Sequence, residues 1–298
     1  MVGVIVAWLP IQALAQERGV LPRLELECDP LDPALALLVP ESRLRCGVGM
    51  QSYLGGEFGD HVSTFAVDRE GAVRALIARG EPALALLTPG PITHYGAEDD
   101  TIYWGLWMPG RVRRFEGTQE RGSYAATVTH PYVGGITASE YLRHDVLRAG
   151  GTPSSPVPTE GTITYAMLGS PFIASRDEVN FRSNIIEPGP IRGASVQVDF
   201  ARGTAVARIG YTVRGVEADF RFELVRRKPP STTFTSVSCT DTGYDICSDA
   251  ELQFYGRQGE FAGLLFRLNY NTAMSEGQRV PARLNNVKGY GAVALERR

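Results

Sequence analysis

Four histidines, His61, His94, His130 and His144, all fall in the first half of a 298-residue chain. Imidazole ligates metal ions and haem iron, so such clustering would suit an N-terminal metal or haem site. Between them runs Thr101-Ile102-Tyr103-Trp104-Gly105-Leu106-Trp107-Met108. Its rings could form an aromatic wall at a strand end and stack on a flat ligand, and Tyr103 or Met108 could replace histidine on iron. On this reading the ligand-binding candidates are Tyr103, Trp104, Trp107 and His94. The plainer reading is that the tryptophans are core residues and the histidines surface groups, since no two histidines have ligand-pair spacing. The acidic run Glu98-Asp99-Asp100 and the series Asp241, Asp245, Asp249 could attract a cation. Neither makes an EF-hand loop, so no metal is assigned and solvated loops are the simpler account.

Catalytic signatures are missing. The chain has no G-x-S-x-G elbow, no H-E-x-x-H helix and no G-x-x-x-x-G-K-[ST] loop. Gly47-Val48-Gly49 is followed by no third glycine at the dinucleotide-binding spacing. We therefore expect no enzyme and no obligatory cofactor, with haem the one cofactor worth testing. A net charge of −3 gives no reason to expect a nucleic-acid partner. Nearly all the positive charge is arginine, because Lys228 and Lys288 are the only lysines.

Cysteine usage points outside the cytoplasm. Cys28, Cys46, Cys239 and Cys247 are an even number and lack the C-x-x-C spacing of zinc or redox sites. Of the three pairings open to four cysteines, the sequence-local one joins Cys28 to Cys46 and Cys239 to Cys247. Residues 1–15 are apolar and end in Ala13-Leu14-Ala15, an h-region followed by an A-x-A cleavage signal. The mature chain would start near Gln16. A lipoprotein would need cysteine at that position, so a lipid anchor is not expected. The usual basic n-region is missing, and a start codon upstream of Met1 is one expectation that would account for it. No later run is long and apolar enough to be a transmembrane helix.

The elements that must position these residues are mainly strands. Residues 138–149 form the best helix candidate, capped by Ser139 and ended by Gly150 and Gly151. A stretch rich in Pro, Ser and Gly, 151–160, reads as a linker between a β-rich N-terminal region (16–150) and a C-terminal domain (161–298). Eight strands are expected after it: Thr162–Leu168, Ala194–Phe200, Thr204–Val213, Val216–Val225, Thr232–Ser238, Glu251–Tyr255, Glu260–Tyr270 and Val287–Glu296. The fourth alternates Val216, Ala218, Phe220, Phe222 and Leu224 with Glu217, Asp219, Arg221 and Glu223, after a two-residue turn at Arg214-Gly215. Short antiparallel strands with tight turns favour closure into a barrel, which removes exposed edges. The strands lack aromatic girdles, several are short for a bilayer, and the chain ends Glu296-Arg297-Arg298. These features favour a soluble barrel with an apolar interior over a membrane barrel.

A more specific pattern lies in Phe254-Tyr255-Gly256, followed by Gly259-Glu260 and Gly263. It resembles the strand-turn-strand of the C-terminal β-barrel in the transferrin-binding protein B superfamily. The run Pro158-Thr159-Glu160-Gly161-Thr162-Ile163-Thr164-Tyr165 is similar to that family's opening strand, and Val198-Asp199-Phe200 to its V-D-F hairpin. The match covers roughly residues 155–298. The turn at Arg257-Gln258 departs from the usual Pro-Asn type, and one glycine stands where the family has a pair. Trp104-Gly105-Leu106-Trp107 followed by Tyr132-Val133-Gly134-Gly135 resembles shorter members of the superfamily.

The fold class expected is all-β, an eight-stranded soluble antiparallel β-barrel preceded by a smaller β-rich region. The resemblance implies an exported, non-enzymatic binding protein at the surface, in the periplasm or secreted from a Gram-negative-type bacterium. It would serve iron acquisition by capturing a host iron protein, haem or a related solute, with an outer-membrane receptor as a further partner. Two other readings stay open: a structural or adhesive envelope protein without a small ligand, and a lipocalin-like barrel holding an internal apolar ligand.

Overall fold

In the computed structural model, the described residues are eighteen strands together with Thr101, Thr137 and the flanking residues 157–161, 168–169, 200–203, 214–215, 227, 232–233, 249, 256–260 and 298. The signal-like segment 1–15, the helix candidate 138–149, Cys28, Cys247, His61, His144 and Met108 lie outside them. No described helix is long and apolar enough to cross a membrane.

The strands build two antiparallel sheets. The first contains β1 (Arg45–Gln51), β2 (Val62–Val67), β3 (Val73–Ile77), β4 (Ala83–Thr88), β5 (His94–Glu98), β6 (Ile102–Trp107), β7 (Gly110–Glu116), β8 (Gln119–Ala126) and β9 (His130–Gly135), in the order β5-β6-β9-β1-β2-β3-β4-β7-β8. The second contains β10 (Thr162–Met167), β11 (Phe172–Asp177), β12 (Glu187–Asp199), β13 (Thr204–Val213), β14 (Val216–Arg226), β15 (Phe234–Asp241), β16 (Ala250–Tyr255), β17 (Phe261–Tyr270) and β18 (Val287–Arg297). It is a closed barrel, because β12 pairs with β13 on one side and with both β10 and β11 on the other.

Nine strands fill eight wall positions. β10 pairs with the end of β12 and the end of β18, while β11 pairs with their beginnings. The two therefore run in the same direction and share one place in the wall. Across the break between them, the Leu168 amide donates to the Ala294 carbonyl at 2.8 Å and keeps the wall joined.

Seven of the eight expected strands match within about three residues at each end. The exception is β12, which starts at Glu187 rather than Ala194. Its first residues include Pro188, Gly189, Pro190 and Gly193, which read as chain breakers. The prolines are tolerated because residues 187–190 pair with β11 alone, and pairing to β13 starts only at Ile191. β11 itself was not expected. The residue Val157, inside the anticipated linker, is buried and packs into the barrel core.

The interior shows why this register holds. On β13, Ala205, Ala207, Ile209, Tyr211 and Val213 point inward, and on β14 so do Ala218, Phe220, Phe222 and Leu224. Glu217, Asp219, Arg221 and Glu223 alternate outward, the reverse of a membrane barrel. One ring cluster holds Tyr165, Phe200, Phe234 and Phe254, with centroids 5.4–6.4 Å apart. A second joins Tyr211, Phe220, Phe222 and Phe266 at 5.1–6.2 Å. Phe266 needs Gly291 on the neighbouring strand, where a Cβ would come within 2.1 Å of its ring.

The hairpin that carries the family resemblance closes β16 onto β17. Gly256 and Gly259 take φ of 85° and 68°, which side-chain-bearing residues rarely adopt. Between them the Gln258 amide donates to the Glu260 carboxylate at 3.0 Å. The Tyr165 hydroxyl donates to the Gly259 carbonyl at 2.7 Å and ties this turn to the opening strand. At the β13–β14 turn, Arg214 (φ 48°) and Gly215 (φ 72°) both have positive φ, the type I′ hairpin that suits the strand twist.

Candidate functional site

β6 carries most of the candidate ligand residues and is paired on both sides, to β5 and to β9. Successive strand residues face opposite ways, so Trp104 and Tyr103 cannot belong to one wall. Ile102 and Trp104 turn toward the barrel. There they join Val133 of β9 and the outward residues Tyr255, Phe261, Leu265, Ala292 and Ala294 of β16, β17 and β18.

Two glycines permit this contact. A Cβ at Gly263 would lie 2.9 Å from Val133, and one at Gly169 would lie 2.5 Å from the Trp104 ring. Gly169, at φ 74°, sits in the break between β10 and β11, so the broken strand forms the socket for Trp104. The Tyr255 hydroxyl approaches the Val133 carbonyl at 3.5 Å, and Tyr255 also forms a β-bridge to Thr137. Trp104 is thus largely committed to holding the first sheet against the barrel.

The other face of β6 is a different surface. Tyr103 is 5% exposed, and alternation puts position 107 on the same side of the strand. The ladder sets His130 directly opposite Trp107, and His94 opposite Leu106 one residue away. Two of the four histidines therefore flank one end of β6, on the strands to either side. The pairing of His130 with Trp107 could not be read from the sequence, because it depends on a β6–β9 register between distant segments. Among the described residues, no three His, Cys, Asp or Glu side chains converge as a metal site.

The barrel contributes charge outside and closure inside. The Glu223 carboxylate accepts hydrogen bonds from Arg221 at 2.6 Å and Ser238 at 3.0 Å. These bonds, with the Arg221 charge, hold it below the usual carboxylate value. Arg192 lies 3.3 Å from Glu217 and 3.4 Å from Asp219 on the same outer wall. Arg226 covers one end of the barrel, 5.9 and 5.4 Å from the Phe200 and Phe234 rings, and donates to the Phe200 carbonyl at 3.1 Å. The Tyr165 phenol is pushed up by burial and remains a neutral donor. An interior so occupied by rings is a packed core.

The turns 200–203 and 256–260 lie at the Arg226 end. At the opposite end β11, β15 and β17 finish and β12, β16 and β18 begin.

No family model matches the sequence, and no curated protein matches it. Solved structures do. A Trp-176-Ala mutant of the vaccine antigen transferrin binding protein B from Haemophilus parasuis Hp5 shares 14% identity at a TM-score of 0.36, covering 85% of this chain and 45% of that one. Intact Ap-TbpB, with N and C lobes, shares 11% at 0.38, covering 85% and 47%. A surface lipoprotein shares 11% at 0.34, covering 84% of this chain and 98% of its own. The chain thus spans about half the length of the transferrin binding protein B structures it matches.

Proposed function

We propose that this chain is an exported, non-enzymatic binding protein of the bacterial envelope that captures a host iron protein, haem or a related iron-bearing solute. The observation that carries the reading is the division of labour between the two sheets. The barrel fills its interior with its own rings and gives part of its outer wall to a second sheet, so it serves as a scaffold and not a container. That argues against a lipocalin-like internal ligand. The scaffold fixes β6 between two histidine-bearing strands, and we assign recognition to the end of β6 where Trp107 pairs with His130. The family resemblance of the β16–β17 hairpin supports an iron-carrier ligand, and an outer-membrane receptor would be the natural acceptor. Fold alone does not choose a ligand, so the choice rests on the site.

The test is capture from host serum by the immobilised full chain, followed by mass spectrometry and an absorbance spectrum of the eluate. We expect transferrin or a haem-bearing protein to be retained. Equal retention on a chain carrying Trp107→Ala and His130→Ala would move recognition away from β6. No retained iron carrier and no haem absorbance would favour the structural or adhesive reading.

A further inference from the structure

Around the closed wall, β13 lies opposite β17 and β14 opposite β18, two of the strands against which the first sheet packs. The outer face of β13 and β14 is therefore the part of the barrel farthest from that sheet. Its carboxylates are all engaged. Glu217 and Asp219 are exposed and lie 3.3 and 3.4 Å from the Arg192 guanidinium. Arg192 reaches them from β12 by crossing Gly210, where a Cβ would sit 2.7 Å from the Asp219 carboxylate. Glu223 accepts from Arg221 at 2.6 Å and from Ser238 at 3.0 Å.

Arg208 is the exception. It is exposed, and among the described residues it makes no ion pair or hydrogen bond. The β13–β14 register sets it directly opposite Arg221, whose side chain is 42% exposed, and the β12–β13 register sets Ser195 on its other side. Its neighbours on the same face of β13 are Val206 and Gly210, neither of which can neutralise it. Directly opposed residues have Cβ atoms about 4.5–5.5 Å apart, and like charges at that spacing destabilise a sheet. An oxyanion between the two guanidinium groups removes the repulsion and accepts charge-assisted hydrogen bonds from both.

We propose that Arg208 and Arg221 form a clamp for a single carboxylate, the Asp or Glu side chain of a protein partner, with the Ser195 hydroxyl beside it. The surroundings select a protein over a polyanion. Arg192, Arg208 and Arg221 stand among Glu217, Asp219 and Glu223, so the patch lacks the net positive charge that draws a nucleic acid or an anionic bilayer. A folded partner can set its own cations against those acids while its carboxylate enters the clamp. The clamp lies across the barrel from β6, so the two surfaces can be engaged together.

In the full chain labelled with heavy nitrogen in arginine, each Nε–H resonance reports on one guanidinium. Acetate, exchanged for chloride at constant ionic strength, supplies the carboxylate alone. A peptide with one glutamate between lysines supplies it in a protein-like setting, and vesicles rich in phosphatidylglycerol supply a phosphate surface. Arg208 and Arg221 should shift saturably with acetate, and with the peptide at about tenfold higher affinity. Arg202, 82% exposed on another turn, should not shift saturably. Arg208→Gln should abolish the Arg221 shift and raise Tm slightly, because the like-charge pair is gone. Equal shifts at Arg202, or an Arg221 shift that survives Arg208→Gln, would overturn the clamp. A lower Tm for Arg208→Gln would show that the arginine serves the wall, which also defeats the proposal. Tighter binding to the vesicles than to the peptide, lost in Arg208→Gln, would overturn the protein partner in favour of a lipid phosphate.

Discussion

The Trp104 ring lies over Gly169, so close that a Cβ on the glycine would sit 2.5 Å from the ring. With φ at 74°, Gly169 is also in a backbone region that alanine enters at a cost. Gly169→Ala should therefore destabilise the chain by about 2–4 kcal/mol, from backbone strain together with overpacking. In a Trp104→Ala background only the backbone part should remain, about 1–2 kcal/mol. A double-mutant cycle by urea unfolding checks this, and additive penalties would mean that the ring is not seated there.

Inside the barrel, Phe266 occupies the space above Gly291. Gly291→Ala should cost about 1–3 kcal/mol, because a packed interior cannot absorb an added methyl without moving the ring. Phe266→Leu should cost about 1–2 kcal/mol alone and reduce the penalty of Gly291→Ala when combined. The denaturation midpoints of the four proteins decide it.

Two buried tyrosines should behave oppositely when their hydroxyls are removed. Tyr165 donates to the Gly259 carbonyl at 2.7 Å, so Tyr165→Phe strands a buried acceptor and should cost about 1–3 kcal/mol. The Tyr211 hydroxyl is buried with no hydrogen-bond partner among the described residues, so Tyr211→Phe should be neutral or stabilising by about 1 kcal/mol. The Tyr165 phenol also gives a pH signature. Its folded value is raised by burial, so its stabilisation is full below pH 10 and is lost as pH rises further and the unfolded chain ionises. Ultraviolet titration should show its ionisation only as the barrel unfolds.

The Glu223 carboxylate works in the other direction. Its folded value lies below the ordinary 4.5, held there by Arg221 and Ser238. Its contribution is therefore present above pH 4.5 and falls away as pH drops through the folded value. Glu223→Gln should lower Tm slightly at pH 7 and leave it unchanged near pH 2, with the two melting curves converging between. A constant difference across that range would show that the carboxylate is not favoured by its neighbours.

Much of the barrel was legible because its strands alternate. Thr204–Val213 and Val216–Arg226 have one buried and one solvated face, and period two marks both ends of each. The strand Phe261–Tyr270 reads in the sequence as having one buried face, because Ala262, Leu264, Phe266 and Leu268 alternate, but residues 261–266 are buried on both sides. Its covering partner, Ile102 and Val133 from a segment far away, could not be read from it. β11 escaped notice because Phe172–Asp177 is short, follows Gly169-Ser170-Pro171 and completes a wall position that β10 begins. For the site, strand parity already separates Trp104 from Trp107. What the sequence could not supply was which tryptophan the barrel would claim, and that His130 would pair opposite the other in the β6–β9 ladder.

Titration of the intact chain with haemin, and separately with iron-loaded transferrin, followed by tryptophan emission and the Soret band, tests the central claim most directly. The account predicts saturable binding of at least one of them, quenching that Trp107→Ala diminishes, and affinity at least tenfold weaker in His130→Ala or Trp107→Ala. It also predicts that Trp104→Ala lowers stability and changes affinity far less. Absence of saturable binding to either, by a chain whose melting is cooperative, would contradict the account and leave a structural role for the barrel and its docked sheet.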